Sequence, residues 1–397
     1  MTTIPLSTID GIARSLRDEV IGLRRDFHAH PELGFEERRT SSVIAGHLAG
    51  LGLEVKTGLA VTGVAGLLKG DLPGRTVMLR ADMDALPVQE LNETEYRSTV
   101  PGVMHACGHD GHMAILLGAA KLFSSLRSSL RGRIMFVFQP AEENLGGARV
   151  MIKEGLLDDV KPDAAFGLHL ISLLPYGYVG TRRGPFMASM DTFTIRIRGR
   201  GGHSAMSDGS VDAIALSAGV VNGLQAHVVN GLPEGSRILV NIGTIRGGTA
   251  HNIVADLVEL EGTVRCLDEE AHSSIRILME GFLRDHILPK GGDFELVYEE
   301  GYPTTANDPS MTDLVFRAAG GVVGAGNAID LPPSMASEDM SFFLQKVPGC
   351  YFFVGAGVDD AAVNTPHHNP RFDIDERALD IGLKVLCAVT ADFLGAP

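Results

Sequence analysis

Between Ser7 and Ala29, apolar residues recur at helical spacing (Ile12, Leu16, Val20, Leu23, Phe27), with Ser7 or Thr8 placed to cap, so the pattern predicts a helix. Residues 40–49 predict a second. Pro31 and Gly34 mark a turn between them, and the histidines of His28-Ala-His-Pro-Glu-Leu-Gly-Phe-Glu-Glu37 are expected as structural polar contacts rather than ligands. Short apolar runs then follow at 76–80 (TVMLR), 133–138 (RIMFVF), 163–168 (DAAFGL) and 350–354 (CYFFV), with helical stretches clearest at 111–126 and 145–154. Buried strands alternating with helices predict an α/β domain with a mostly parallel sheet.

Near residue 187 the texture changes. Residues 191–198 (DTFTIRIR) alternate with period two, followed by a helix at 211–228, strands at 237–244 and 257–265, a helix at 270–285 and a strand at 293–299. This β-α-β-β-α-β order is the split ferredoxin-like unit, an antiparallel sheet with its helices on one face. The chain then returns to helix and to the CYFFV strand. The expected organisation is a catalytic domain in two parts, 1–186 and 303–397, interrupted by an inserted α+β domain at 187–302.

Composition agrees with two domains, because 397 residues exceed one ordinary core. Hydrophobic residues at 45% and charged residues at 21% exclude a disordered chain. A net charge of −15 argues against a nucleic-acid surface, so the expected partner is a small molecule. Four widely spaced cysteines form no disulfide framework and fit a reducing compartment. The N-terminal residues lack a basic region followed by an apolar run, and no stretch approaches the roughly 18 apolar residues of a membrane span. The expectation is a cytoplasmic protein with no membrane partner, in which Asn92-Glu93-Thr94 is a chance sequon.

The chemistry follows the strands. Asp82 and Asp84 come after the first, Glu142 and Glu143 after the second, and His169 at the end of the third. Ligands of open α/β sheets bind at the carboxyl ends of strands, so three independent runs deliver acids and imidazole to one edge. His105-Ala-Cys-Gly-His-Asp-Gly-His112 adds a thiol and three imidazoles within eight positions. Thiolate, imidazole and carboxylate are the ligands of zinc and similar ions. Cys107 and His109 are the expected ligands of this segment, His105 and His112 are ligands or groups that orient ligands, and Asp110 is expected as a helix N-cap. In the Glu142-Glu143 pair one carboxylate can coordinate while the other acts as general base; the alternative is two solvated acids opening a helix. A cysteine nucleophile paired with histidine would not need Glu143, His169 and His368 as well.

Taken in order, Arg80-Ala-Asp-Met-Asp-Ala-Leu-Pro87, His105-Ala-Cys-Gly-His-Asp110, Phe138-Gln-Pro-Ala-Glu-Glu143, Gly167-Leu-His169, Gly201-Gly-His-Ser-Ala205, Gly247-Gly-Thr-Ala-His-Asn252, Gly262-Thr-Val-Arg265, Ser337-Glu-Asp339 and His368-Asn-Pro-Arg-Phe-Asp373 resemble the M20 metallopeptidase clan over nearly the whole chain. The nearest branch is the amidohydrolases: hippurate hydrolases, N-acyl-amino-acid amidohydrolases and auxin-conjugate hydrolases. The resemblance implies two divalent ions (zinc or manganese, with cobalt or nickel as alternatives), bridged by Cys107 and completed by His109, Glu143, His169 and His368. It implies Glu142 as base, a catalytic part for Asp84, and a substrate carboxylate held by Asn252 and Arg265. It further implies that the inserted domain is a lid through which two chains form a homodimer, with a tetramer as the next assembly, and that His203 reaches the partner's site.

Two departures from the branch pattern, Ser207-Asp208 and Ala255, fall in the lid and bear on acyl preference. The expected reaction is hydrolysis of N-acyl or N-aroyl amino acids, with a dipeptidase or carboxypeptidase of the same clan as the rival. A non-enzymatic metal- or ligand-binding protein is the reading from another class.

Overall fold

The computed structural model describes residues 4–359 and 364–395. It divides into two compact units: Met1–Gly184 with Ala306–Pro332 and Asp339–Pro397, and Pro185–Thr305 with Pro333–Glu338. The smaller unit thus includes a short return segment, 333–338, that lies outside the expected insertion.

In the larger unit, eight strands among the described residues form one sheet. Its centre is parallel, with Leu72–Asp82 between Arg131–Gln139 and Ala164–Pro175, and Gly349–Gly357 beyond the latter. The mostly parallel α/β sheet expected from the apolar runs is therefore present. The central strands are buried on both faces, as crossover helices require, and read as continuous rather than alternating apolar runs. Register decides what comes together. Asp82 pairs with Gln139, Arg80 with Gly167, and Phe353 with His169, so these strands bring their motif residues to one edge. The strand carrying His169 runs on to Pro175 instead of ending there; His169 lies just beyond the last pairing of Ala164–Pro175 with Leu72–Asp82.

Helices Leu6–Ala29, His109–Ser125 and Arg377–Gly395 pack on one another and, through the last two, on the sheet. His109–Ser125 is buried almost throughout, so its sequence is apolar on all sides. Gly118 lets it approach the first helix: a Cβ there would lie 2.9 Å from Val20. The helix expected over 145–154 spans Gly147–Lys153, and a separate single turn, Glu142–Leu145, precedes it across Gly146, which adopts φ 65°. Gly147 packs closely on the preceding segment, because a Cβ there would overlap the Pro140 carbonyl oxygen. No helix among the described residues is long and apolar enough to cross a membrane.

The smaller unit has strand order Ile238–Gly247, Leu257–Cys266, Met190–Arg198, Asp293–Tyr302, all antiparallel, with helices Ala213–Asn230 and Glu269–Ile287. Period-two alternation sends Phe193, Ile195 and Ile197 into the core against Val220, Leu224, Ile275 and Met279. Each helix opens on an aspartate, Asp212 or Asp268, whose side chain accepts two backbone N–H groups of the first turn.

Candidate metal centre

Gly108, at φ 92°, turns the chain into the helix that begins at His109. Asp110 is not the N-cap the sequence suggested. It sits in the first turn, and its carboxylate takes Arg24 Nε at 2.8 Å and His28 Nδ1 at 2.7 Å. Arg24 also donates to Asp373 at 2.7 Å and lies within 3.4 Å of Glu376, so a fully buried guanidinium ties the first helix to the start of the ligand-bearing helix and to the C-terminal segment. Arg24 holds the Asp110 carboxyl well below the usual range despite its burial, with help from His28. His28 is thus the structural contact expected of it.

The five residues named as ligands fall into two groups that share the thiol. Cys107, His109 and His169 form one, and Cys107, Glu143 and His368 the other, with donor atoms within 4.8 Å of one another in each. The His169 Nε2 lies 3.5 Å from Cys107 Sγ, and the His368 Nε2 lies 3.1 Å from a Glu143 oxygen. His368 adopts φ 67°, a left-handed conformation rare outside glycine, and its backbone N–H is held by the Ala106 carbonyl at 2.8 Å. His109 Nδ1 is fixed on the Asp84 carbonyl at 2.9 Å, which leaves its Nε2 buried without a hydrogen-bond partner.

The electrostatics call for a cation. Burial works against a charge on His109, but Asp82, Asp84 and Glu143 outweigh it and raise the imidazole to about 10. Burial, then Glu143 and Glu142, push the Cys107 thiol well up. A proton fills, on both groups, the place a divalent ion would take, and an unpaired buried nitrogen beside a thiol and carboxylates fits such an ion. His169 is held neutral by burial and by neighbouring imidazoles, as a ligand must be.

Asp84 serves two neighbours: its backbone carbonyl orients His109, and its side chain accepts the Glu143 N–H at 2.9 Å. His112 has both nitrogens committed, one to Asp82 at 2.6 Å and the other accepting the Leu170 N–H at 2.9 Å. It therefore orients the strand at His169, the second of the two roles open to it. His105 is buried, with neither nitrogen hydrogen-bonded, and burial pushes it down to about 4. Asp82 is in turn fixed by Arg80 at 2.8 Å, which also reaches Asp339 and Gln139, each at 2.8 Å. Glu142 opens the short helix after Ala141, which adopts φ 54°, ψ 48°.

The remaining three named residues belong to the smaller unit. His203 is exposed and pairs with Ile253 in a two-residue ladder; the Asn252 carbonyl accepts the Ser204 N–H at 3.1 Å, so His203 and Asn252 share one local frame. Arg265 is on the Leu257–Cys266 strand and donates to the Met335 carbonyl at 3.0 Å and the Ser337 hydroxyl at 3.4 Å. Among the described residues every acceptor of its guanidinium is neutral, and partial burial lowers its pKa.

Sequence reasoning passed over Arg24 and Glu37. Arg24 had a signal: it continues the buried stripe of Leu16, Val20 and Phe27 on a helix, where a charge is out of place. Glu37 had none.

Residues 78–392 match the profile of Peptidase family M20/M25/M40, and the chain belongs to this family. It is 39% identical over 93% of its length, and 94% of the relative's, to thermostable carboxypeptidase 1 of Saccharolobus solfataricus. It is 43% identical over 75% of its length, and 80% of the relative's, to an N-acyl-L-amino acid amidohydrolase of Geobacillus stearothermophilus. A crystal structure of a dinuclear metal binding peptidase of the M20 family from Bacillus subtilis superimposes with TM-score 0.85 at 32% identity, covering 97% of this chain and 100% of that one. The protein is a metal-dependent hydrolase whose substrates are small-molecule amides.

Proposed function

We propose that this hydrolase cleaves the amide of N-acyl and N-aroyl amino acids, hippurate-like compounds among them, to a carboxylic acid and a free amino acid. Arg265 carries the reading. A half-buried guanidinium surrounded by neutral acceptors lacks an anion, and its planar fork suits the free carboxylate of such a substrate, with Asn252 as second donor. The name of the Geobacillus relative points the same way.

Cys107, His109, Glu143, His169 and His368 would hold two divalent ions, with Cys107 common to both groups. When bound, the ions supply Lewis acidity that polarises the amide carbonyl and lowers the pKa of the attacking water. Thiolate favours zinc, while carboxylate and imidazole also suit manganese, cobalt or nickel. Glu142 takes the proton from the attacking water and returns it to the leaving nitrogen. Asp84 keeps His109 and the Glu143 backbone in place. His203 stabilises the oxyanion, delivered from the lid of a second chain in a homodimer formed through the inserted domain. Ile214 and Val221, each 47% exposed and two turns apart on one helix, give that domain an apolar face for such an assembly.

A carboxypeptidase reading has its own support in the Saccharolobus relative, since a peptide's C-terminal carboxylate would suit Arg265 equally. Removing metal by chelation, restoring single ions and assaying amino-acid release from benzoyl-, acetyl- and indoleacetyl-amino acids and from plain dipeptides separates the two. Release from acyl-amino acids is expected; release from dipeptides alone would install the peptidase reading. Glu142→Gln is expected to lower kcat by about 10²–10⁴-fold with metal content retained, and loss of the metal with the activity would show that Glu142 is a ligand. Mixed dimers of Glu142→Gln with His203→Ala should regain activity that neither variant has alone.

A further inference from the structure

The turn that presents Glu142 is held from both sides by carboxylates that belong to other parts of the chain. On one side Asp84 accepts the Glu143 N–H at 2.9 Å. On the other Glu37, more than one hundred positions away in sequence, accepts the Ala141 N–H at 2.9 Å. Its second oxygen takes the Thr62 hydroxyl at 2.5 Å. Between these anchors Ala141 occupies a left-handed conformation, φ 54° and ψ 48°, which a residue with a Cβ adopts only when its surroundings hold it there.

Glu37 is an expensive way to fill this space. It is fully buried, and the donors to its carboxylate are a hydroxyl and an amide rather than a cation. Burial, partly offset by the Thr62 hydroxyl, raises it to about 7. A hydrophobic residue of similar size would be more stable at such a position, because a buried carboxylate without a cation carries an uncompensated desolvation cost. What that residue could not do is accept the Ala141 N–H.

We propose that Glu37 is a positioning residue for the general base: by accepting the Ala141 N–H, with Thr62 fixing its other oxygen, it keeps the backbone before Glu142 left-handed and so aims the Glu142 carboxylate. The inference rests on Glu142 being the base. Without the acceptor, Ala141 relaxes to the right-handed or extended region and Glu142 is re-aimed, while the ligands on the other strands stay where they are.

The test compares Glu37→Met, of similar volume with no oxygen acceptor, with Glu37→Gln, which keeps one, on the fastest-cleaved amide of the substrate panel. Glu37→Met is expected to lose about 100-fold in kcat, the scale of a misplacement of about 1 Å, with KM and metal content close to those of the parent and a thermal unfolding temperature no lower than the parent's. Glu37→Gln should keep most of the turnover. Ala141→Gly placed in the Glu37→Met background should recover roughly tenfold, since glycine holds φ > 0 without an anchor. A space-filling role would make Met and Gln alike and leave the glycine without effect; either result overturns the inference, as does loss of metal in Glu37→Met. Glu142→Gln, assayed alongside, separates the two layers. If it retains turnover, the reading of Glu142 falls; if it abolishes turnover while Glu37→Met matches the parent, only the role of Glu37 falls.

Discussion

In the larger unit Arg24 is buried and donates to Asp110 and Asp373, with Glu376 also within ion-pair distance, whereas in the smaller unit Arg265 is half-buried and, among the described residues, donates to a carbonyl, a hydroxyl and a thioether. Other arginines of the same sheet do not share its condition: farther along the strands, Arg196 pairs with Glu259 at 2.9 Å and Arg246 with Glu261 at 2.7 Å. A buried guanidinium that has its carboxylates fixes geometry, and Arg24 fixes the entry of the helix bearing His109. One that lacks them can take an anion from outside, which is the basis of the proposed carboxylate contact of Arg265. The larger unit holds the reverse case in Glu37, a buried acid among neutral donors. Charges that are fully paired thus describe the scaffold, whereas Arg265 and Glu37 have neutral hydrogen-bond partners among the described residues, and the proposed substrate contact and the proposed positioning role rest on that difference.

That contrast breaks first at Arg24. Arg24→Met leaves Asp110 buried with only His28, so chemical denaturation should show a loss of about 3–5 kcal/mol. An effect below about 1 kcal/mol would place Arg24 with surface pairs such as Arg196. Glu37 sharpens it through pH. Its folded pKa, about 7, lies above the ordinary 4.5, so the charge it acquires destabilises the fold progressively from pH 4.5 to 7 and fully above that. Glu37→Gln should therefore stabilise by on the order of 3 kcal/mol at pH 8, with the gain vanishing below pH 4.5; a pH-independent difference between the melting curves would contradict it. Arg265→Met should leave stability almost unchanged and lower kcat/KM by about 10–100-fold on carboxylate-bearing amides, as expected for one charge-assisted hydrogen-bonded pair. It should have little effect on the same amides carrying a carboxamide in place of the carboxylate. Equal losses on both would mean that Arg265 holds the strand rather than the substrate.

The apolar runs of the central strands, the period-two alternation of 191–198 and the crowded donors of 105–112 are local signals, and each described its own segment well. Three adjustments came from beyond the segment. Asp110 left the capping role because Arg24 and His28 lie within reach of it, the helix expected from 145 began only at Gly147, after a separate turn over Glu142–Leu145, and the strand at His169 ran on to Pro175 because Gly349–Gly357 pairs alongside.

Sequence alone determined the fold class and the order of the main elements and singled out candidate donors, because hydrophobic period and ligand chemistry are properties of short stretches. Only tertiary structure decided that the five candidate ligands fall into two groups sharing one thiol, which nitrogen of His109 is left open, that Arg265 has neutral acceptors among the described residues, and that Glu37 accepts the Ala141 N–H before Glu142. Those facts depend on strand register and on contacts across 62 positions between Cys107 and His169 or 104 between Glu37 and Ala141. Hydrogen bonds and ion pairs act over a few ångströms of space whatever the separation along the chain, so no local pattern records them.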